Sequence, residues 1–203
     1  MIGLVGGIGA GKSTAAAEFV KLGCRLVDGD VIGHELLAAP EVRRLLRRRW
    51  GAGIFNPKGQ VDRKALAAVV FGRPRELAAL NRIMWPRIRR RMERIIARVR
   101  REPAVPAVVM DAAIMIDAGW DELCTHLVFV KAPGRQRAAR TQENRGWDRR
   151  TWRGRENSQI SLDRKQRRCY FTLDNSSSVS YLAEQVRGLF NRIVHEAGRP
   201  LAN

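Results

Sequence analysis

Eight residues near the start of the chain, Gly6–Ser13 (GGIGAGKS), constrain the fold more than any other feature. They match the pattern GxxxxGK[ST] at every fixed position. A short apolar run, Ile2–Val5, precedes them, and helix-forming residues follow from Lys12 to Leu22. In this order of strand, glycine-rich loop and helix, the backbone N–H groups of the loop turn inward around phosphate oxygens. The motif therefore predicts a nucleoside-triphosphate site in a parallel α/β sheet.

Two side chains of the motif have expected roles of their own. Lys12 is placed to bridge the β- and γ-phosphates of the nucleotide, and the hydroxyl of Ser13 is placed to ligate Mg²⁺. The chain contains no NKxD element of the kind that reads a guanine base, and it is shorter than motor or helicase ATPases usually are. The motif and the length together favour a small-molecule kinase that uses ATP and Mg²⁺.

Carboxylates follow two further predicted strands. Asp28 and Asp30 come after the apolar run Cys24–Val27, and Asp111 ends a run that begins at Ala107. Ligands of parallel α/β sheets bind at the carboxyl ends of the strands, which places these carboxylates near the expected phosphates. Asp28 or Asp30 can accept the proton of an attacking hydroxyl, or can cap the helix that follows. Asp111 can hold Mg²⁺ through water, which we favour, or can cap a turn.

Two long stretches of the chain differ in composition from the predicted strands. Residues 31–103 have a helical pattern and many arginines, and residues 135–168 form the most polar stretch. In small-molecule kinases an arginine-rich segment of this kind is a lid that closes over the phosphates and excludes water. We therefore predict a nucleotide-binding core of residues 1–30, 104–134 and 169–203, a helical substrate-binding domain of residues 31–103, and a lid of residues 135–168.

Three more elements are predicted from apolar runs and helical spacing. Leu127–Val130 and Phe171–Leu173 have the length of short buried strands, and a closing helix is predicted near Tyr181–Glu196. In Arg87–Arg101 apolar residues recur at helical spacing, with arginines at the other positions. We interpret this basic helix face as a solvated surface in preference to a surface for membrane or DNA.

The net charge of +18, from 38 basic and 20 acidic residues, has two readings. It reflects either arginine spread over a solvated surface, or attraction of a polyanionic substrate or nucleic acid. Composition alone does not choose between them. No apolar run reaches the ~18–20 residues that span a bilayer, and the N-terminus lacks the basic region of a signal peptide.

The three cysteines, Cys24, Cys124 and Cys169, are far apart and have no CxxC spacing. This argues against a disulfide framework or a zinc site, and it suits a reducing cytoplasm. We therefore expect a cytoplasmic enzyme with no membrane partner.

The chain resembles the dephospho-coenzyme A kinase family over nearly its full length. The matching segments occur in the family's order: Gly6–Thr14, Val27–Asp30, Gly59–Arg63 with Leu66 and Phe71, Leu80–Ile83 before Pro86, and Asn144–Trp147 followed by Gln159, Lys165 and Asp174–Ser176. Each segment alone is a weak signal, whereas their order along the chain is specific.

The resemblance implies a reaction in which ATP phosphorylates the ribose 3′-hydroxyl of dephospho-coenzyme A, the final step of coenzyme A biosynthesis. It implies a P-loop core, a helical substrate domain and a lid. No nucleic-acid partner is expected, and a monomer is favoured. The residues that would hold the ATP phosphates are Gly9, Ala10, Gly11, Lys12, Ser13 and Thr14.

The resemblance also implies roles for individual side chains. Asp30 would be the catalytic base, acting with Lys12, and Arg145 would lie in the lid near the transferred phosphoryl group. We expect the acceptor to be bound with the help of Asp28, His34 and Arg63.

The chain departs from the family pattern at several positions. His34 stands where the family usually has arginine, and Trp85 where it usually has histidine. The segment Asp111–Asp117 lacks the family's proline and ends in a shorter acid, and Cys169 with Tyr170 replaces Ala-Asp. Two alternatives are therefore kept: another small P-loop kinase, for a nucleoside monophosphate or shikimate, or a paralogue that binds ATP or coenzyme A with little turnover.

Overall fold

A computed structural model describes residues 1–197 of the chain. Within them, five parallel strands form one sheet in the order β2-β3-β1-β4-β5. The strands are β1 (Ile2–Val5), β2 (Arg25–Asp28), β3 (Val108–Asp111), β4 (His126–Lys131) and β5 (Phe171–Asp174). Each corresponds to an apolar run of the sequence, so the predicted α/β fold with a parallel sheet is confirmed.

Helices connect the strands and continue beyond the sheet. They are α1 (Lys12–Lys21), α2 (Gly29–Ala38), α3 (Pro40–Trp50), α4 (Arg63–Val70), α5 (Pro74–Val99), α6 (Gly134–Arg145), α7 (Arg149–Asn157), α8 (Leu162–Arg167) and α9 (Val179–Ala197). Short 3₁₀ turns lie at Ala52–Ile54 and Trp120–Leu123. In the part of the chain that the structure describes, no helix is both long and apolar enough to cross a membrane.

The chain divides into two compact units. One consists of Met1–Asp28 together with the chain from Ile96 onward, and the other is Gly29–Ile95. The segment 135–168, predicted as a lid, lies within the first unit. The assignment of nucleotide-binding, substrate-binding and lid roles to these parts stays a prediction.

The core of the first unit lies between the sheet and helices α1 and α9. All residues of β1 and β3 are buried, as expected for strands covered on both faces. The core consists mainly of side chains from β1, β4, α1 and α9, among them Ile2, Leu4, Phe19, Val128, Val130, Leu182 and Val186. This packing fixes the carboxyl end of β1, where the glycine-rich loop begins.

The second unit is a helical assembly around a smaller apolar core. Its buried residues include Ile32, Val42, Leu46, Ile54, Leu66, Met84, Ile88 and Met92. The predicted helix Arg87–Arg101 lies mostly within the longer α5, which continues through Pro86 and ends at Val99, two residues before the predicted end. In the turn around this proline the guanidinium of Arg87 donates a hydrogen bond to the carbonyl of Ile83 at 2.7 Å. The basic face of α5 is exposed, as predicted for a solvated surface.

Candidate active site

The glycine-rich loop joins β1 to α1 at the carboxyl edge of the sheet. Gly9 and Gly11 have φ values of 80° and 90°, in the left-handed region that residues with a side chain rarely adopt. Gly11 is the residue before the first turn of α1, so the N–H groups of that turn point toward the loop. The Lys12 ammonium donates to the carbonyls of Gly6 at 3.4 Å and Gly7 at 3.2 Å. This arrangement is a phosphate-binding loop.

Side chains approach this loop so closely that only glycine fits. A Cβ atom on Gly9 would lie 2.7 Å from the hydroxyl of Thr141, and one on Gly11 would clash with the amide of Asn175. Asn175 follows β5, and its Nδ2 donates to the carbonyl of Ala10 at 2.8 Å. The loop is thus held from outside by residues distant in sequence.

Helices α6 and α7 supply a second support for the loop. The buried guanidinium of Arg137 donates to the carbonyl of Ile8 at 3.4 Å and forms an ion pair with Glu156. The indole of Trp152 donates to the same carbonyl at 3.3 Å. Part of the segment predicted as a lid therefore contacts the phosphate-binding loop directly.

The hydroxyl of Ser13 and the carboxylate of Asp111 meet at the end of β3. Ser13 Oγ donates to Asp111 Oδ2 at 2.8 Å, and Asp111 is only 7% exposed. Asp111 pairs in register with Leu4 on one side and with Asp28 on the other. The predicted metal-binding residues are therefore adjacent. A hydroxyl and a carboxylate are the oxygen ligands that Mg²⁺ prefers, so this pair fits the ion.

Asp28 and Asp30 stand in different surroundings, although two residues apart. Asp28 ends β2, half-buried, beside Asp111 in the sheet. Asp30 is exposed in the first turn of α2, which begins at Gly29. The alternative that Asp30 is the N-cap of this helix is wrong, because the residue lies inside the helix. Its role as base stays a prediction.

Two arginines of α6, Arg137 and Arg140, reach the loop or the residue that supports it. Arg140 Nη2 donates to the carbonyl of Asn175 at 2.9 Å, and its Nη1 would lie 3.8 Å from a Cβ on Gly11. Arg145, in the last turn of α6, has its guanidinium 5.1 Å from the ring centroid of Trp147. Sequence reasoning missed Arg137 and Arg140. Their spacing of three residues on one helix face was the available signal.

The residues predicted to bind the acceptor lie in the second unit or at its border. His34 is exposed on α2, and Arg63 is exposed at the start of α4, where the carboxylate of Asp62 accepts from two backbone N–H groups. Arg43, a neighbouring candidate, donates to the carbonyl of Gly59 at 2.5 Å. The acceptor roles of Asp28, His34 and Arg63 stay predictions.

Thiol chemistry has no place in this site. Burial raises the pKa of Cys24 to about 11 and those of Cys124 and Cys169 to about 12. The thiols are therefore protonated at neutral pH and are poor nucleophiles. Among the described residues no group of three or more histidine, cysteine or acidic side chains is arranged to hold a metal ion.

The parallel sheet, the phosphate-binding loop and the Ser13–Asp111 pair together define the class of P-loop nucleotide-binding proteins. Comparisons with known proteins narrow the class. A family model described as dephospho-CoA kinase matches residues 1–180. The chain belongs to the dephospho-CoA kinase family.

Individual relatives agree with this assignment. The dephospho-CoA kinase of Corynebacterium jeikeium is 34% identical over 93% of this chain and 97% of its own length. That of Symbiobacterium thermophilum is 33% identical over 100% of this chain and 85% of its own. A crystal structure of a Thermus thermophilus protein, 28% identical, superposes with a TM-score of 0.79 over 95% of this chain and 96% of its own. The family match decides against a kinase for nucleoside monophosphates or shikimate.

Proposed function

We propose that this protein transfers the γ-phosphoryl group of ATP to the ribose 3′-hydroxyl of dephospho-coenzyme A, which yields coenzyme A and ADP. One observation carries the proposal: a complete phosphate-binding loop whose Ser13 is hydrogen-bonded to the strand-end carboxylate of Asp111, in a chain of the dephospho-CoA kinase family. The loop supplies the nucleotide site, and family membership supplies the acceptor.

The nucleotide phosphates would be bound by the backbone N–H groups of residues 9–14 and by the Lys12 ammonium. In the structure this ammonium rests on carbonyl oxygens of its own loop. Phosphate oxygens are stronger acceptors for a cation than carbonyl oxygens are, so we expect Lys12 to exchange one for the other. The lysine then offsets charge that builds up on the β–γ bridge as the bond breaks.

Mg²⁺ would be held through Ser13 and Asp111, the one directly and the other through water. When bound, the ion neutralises charge between the β- and γ-phosphates. Asp111 is kept in place by its position at the end of a buried strand. The Ser13 hydroxyl already points at it, so few rotamers must be fixed when the ion arrives.

Asp30 is the proposed general base. Its carboxylate would accept the proton of the 3′-hydroxyl as the ribose oxygen forms its bond to phosphorus and the bond to the ADP oxygen breaks. The exposed position of Asp30 leaves the carboxylate accessible to an acceptor. Asp28, His34 and Arg63 would orient the acceptor. Arg140 and Arg145, from the proposed lid, would offset charge on the transferred group.

A direct test is ADP release, measured with and without dephospho-coenzyme A, with the product identified by mass and by its 3′-phosphate. We expect release to depend on this acceptor and to disappear in Lys12→Ala. Equal release without acceptor, or a preference for another hydroxyl compound, contradicts the proposed substrate. Nucleotide binding without any ADP release favours the alternative of a paralogue with little turnover.

We also propose that the enzyme acts in the cytoplasm as a monomer. The three cysteines are far apart in the sequence and have no CxxC spacing, which is typical of proteins from a reducing compartment. Light scattering of the purified protein, with and without nucleotide, tests the monomer. A mass of two or more chains contradicts it.

A further inference from the structure

Lys165 is a cation that is almost completely removed from water. It lies on α8, and its side chain is only 2% exposed. Its ammonium donates one hydrogen bond, to Gln159 Oε1 at 2.6 Å. The mechanism proposed above gives this residue no role. Removing an ammonium group from water nevertheless costs folding free energy unless other groups compensate the charge.

The partner set of Lys165 is incomplete. An ammonium has three N–H donors, and Gln159 takes one of them. The nearest carboxylate oxygen, Asp117 Oδ2, is 3.8 Å away, beyond hydrogen-bond distance. Asp117 Oδ1 instead accepts from the backbone N–H of Ile160 at 2.8 Å, and Oδ2 accepts no hydrogen bond among the described residues. The attraction between Lys165 and Asp117 therefore offsets little of the free energy that is lost when both charges are removed from water.

Other charged groups around Lys165 do not supply the missing acceptors for its ammonium. Burial lowers its pKa; the positive charges of Lys12 and Arg137 lower it further, and Asp117 and Glu156 oppose them. These groups come from α1, α6, the loop after β3, and α7. Arg137 and Glu156 form an ion pair with each other against the loop, where a Cβ atom on Gly7 would lie 2.8 Å from Glu156 Oε1. The charges that act on Lys165 therefore include groups of the phosphate-binding loop and groups that contact it.

We propose that Lys165 is a second phosphate-recognising lysine of this site, and that the terminal phosphates of the nucleotide supply acceptors for the N–H groups of Lys165 that Gln159 does not bind. The inference rests on the proposed function, because it requires a nucleotide at the phosphate-binding loop. It explains why a cation is buried at a position where an apolar side chain of similar length would be easier to accommodate.

The inference predicts a dependence on pH. Because bound phosphates favour the charged form of Lys165, binding raises the pKa of the ammonium relative to the free protein. Nucleotide affinity is then highest below the lowered pKa of the free protein, and it falls as the pH rises through that value. At those pH values binding takes up a proton. In Lys165→Arg the guanidinium stays charged over this range. Both the fall in nucleotide affinity at higher pH and the uptake of a proton on binding should therefore disappear.

The experiment is calorimetric titration with ADP and with ATP, from neutral pH to about pH 10, in buffers of different ionisation enthalpy. We expect Lys165→Met to weaken binding by about 10- to 100-fold, the usual effect of losing a hydrogen bond to a charged group. Lys165→Arg should bind within a few-fold of the wild type. The matched control is Lys21→Met, at a lysine of α1 whose side chain is 70% exposed.

A double variant separates phosphate recognition from a structural role. Lys165→Met alone leaves the Asp117 carboxylate buried without a cation, which destabilises the fold whatever the lysine does. Lys165→Met with Asp117→Asn removes both charges. We expect it to unfold at a temperature no lower than the wild type while nucleotide binding stays weak. Full recovery of nucleotide affinity in the double variant contradicts the inference and indicates a structural ion pair.

The remaining outcomes are also decisive. If the wild type binds ADP while Lys165→Met binds it equally well, only the inference fails. Proton uptake that persists in Lys165→Arg also overturns the inference, because the titrating group is then another one. If the wild type binds no nucleotide, the proposed function fails and the inference fails with it.

Discussion

The two compact units of this protein differ in whether they bury basic side chains. In the unit that holds the phosphate-binding loop, Arg137 and Lys165 are 5% and 2% exposed, and each has identified hydrogen-bond partners. In Gly29–Ile95, 16 basic residues stand against six acidic ones, and most of them lie on exposed helix faces. A buried cation has a fixed geometry and interacts with a few specific neighbours. An exposed cation instead contributes to the electrostatic potential that many surface charges create together.

The helical unit shows how the second pattern arises from the sequence. On α5 the apolar positions Met84, Ile88 and Met92 face the core, and arginines occupy the positions between them. Arg87, Arg90, Arg91 and Arg94 line a groove of about 430 Å³ together with residues of α2 and α3. Exposed ion pairs contribute little individually. We therefore expect single replacements to have large effects in the first unit and small ones in the second.

The largest effect is expected at the loop lysine. Lys12→Ala removes the cation that offsets charge on the β- and γ-phosphates, and we expect ADP release to fall by about 100-fold or more. Lys21→Ala, on the same helix and exposed, is the control and should keep wild-type activity. A Lys12→Ala enzyme with the wild-type rate would remove the loop from the mechanism.

Asp30→Asn is an exception to the expected difference between the two units. Asp30 is exposed and belongs to the second unit, yet we expect a large effect when it is replaced. The amide is nearly isosteric and cannot accept the 3′-hydroxyl proton, so turnover should fall by ~10²–10⁴-fold. Nucleotide affinity, measured by calorimetry, should not change. Asp28→Asn is the comparison variant, and it should change the acceptor KM more than it changes turnover. If that variant carries the whole loss, the base is the strand-end carboxylate instead.

A smaller effect should separate two arginines of α6. Arg140 reaches the residue that holds the loop, whereas Arg145 rests against Trp147. We expect Arg140→Met to lower kcat by about 10- to 100-fold, in the range seen when a hydrogen bond to a charged group is lost. Arg145→Met should lower kcat by a smaller factor. The opposite order would favour the role that the family resemblance implies for Arg145.

The smallest effect is expected at His34. If this position contacts an acceptor phosphate, His34→Arg supplies a permanently charged guanidinium that can donate two parallel hydrogen bonds to the phosphate. KM for dephospho-coenzyme A should fall by a few-fold. KM for ATP should stay the same. An unchanged acceptor KM would show that neighbouring arginines, such as Arg43 or Arg63, already supply the charge.

The sequence by itself determined the nucleotide site and the sheet around it. The motif Gly6–Ser13 and the carboxylate of Asp111 could be located without a structure, because each follows an apolar run of strand length. Strand, loop and helix are local in sequence, and carboxyl ends of parallel strands lie at one edge. The proximity of Ser13 and Asp111 was therefore predictable, and the hydrogen bond between them confirms it.

Only the tertiary structure decided which polar residues support the loop. Arg137 and Ile8 are 129 positions apart, and Asn175 and Ala10 are 165 apart. Residues 135–168 are the most polar stretch of the chain, with few residues able to enter a core, and Trp152 and Lys165 are among those that are buried. Composition does not identify them, because burial of a polar side chain depends on which hydrogen-bonding partners the fold brings to it. Those partners, a loop carbonyl and a glutamine, become neighbours only when the chain has folded.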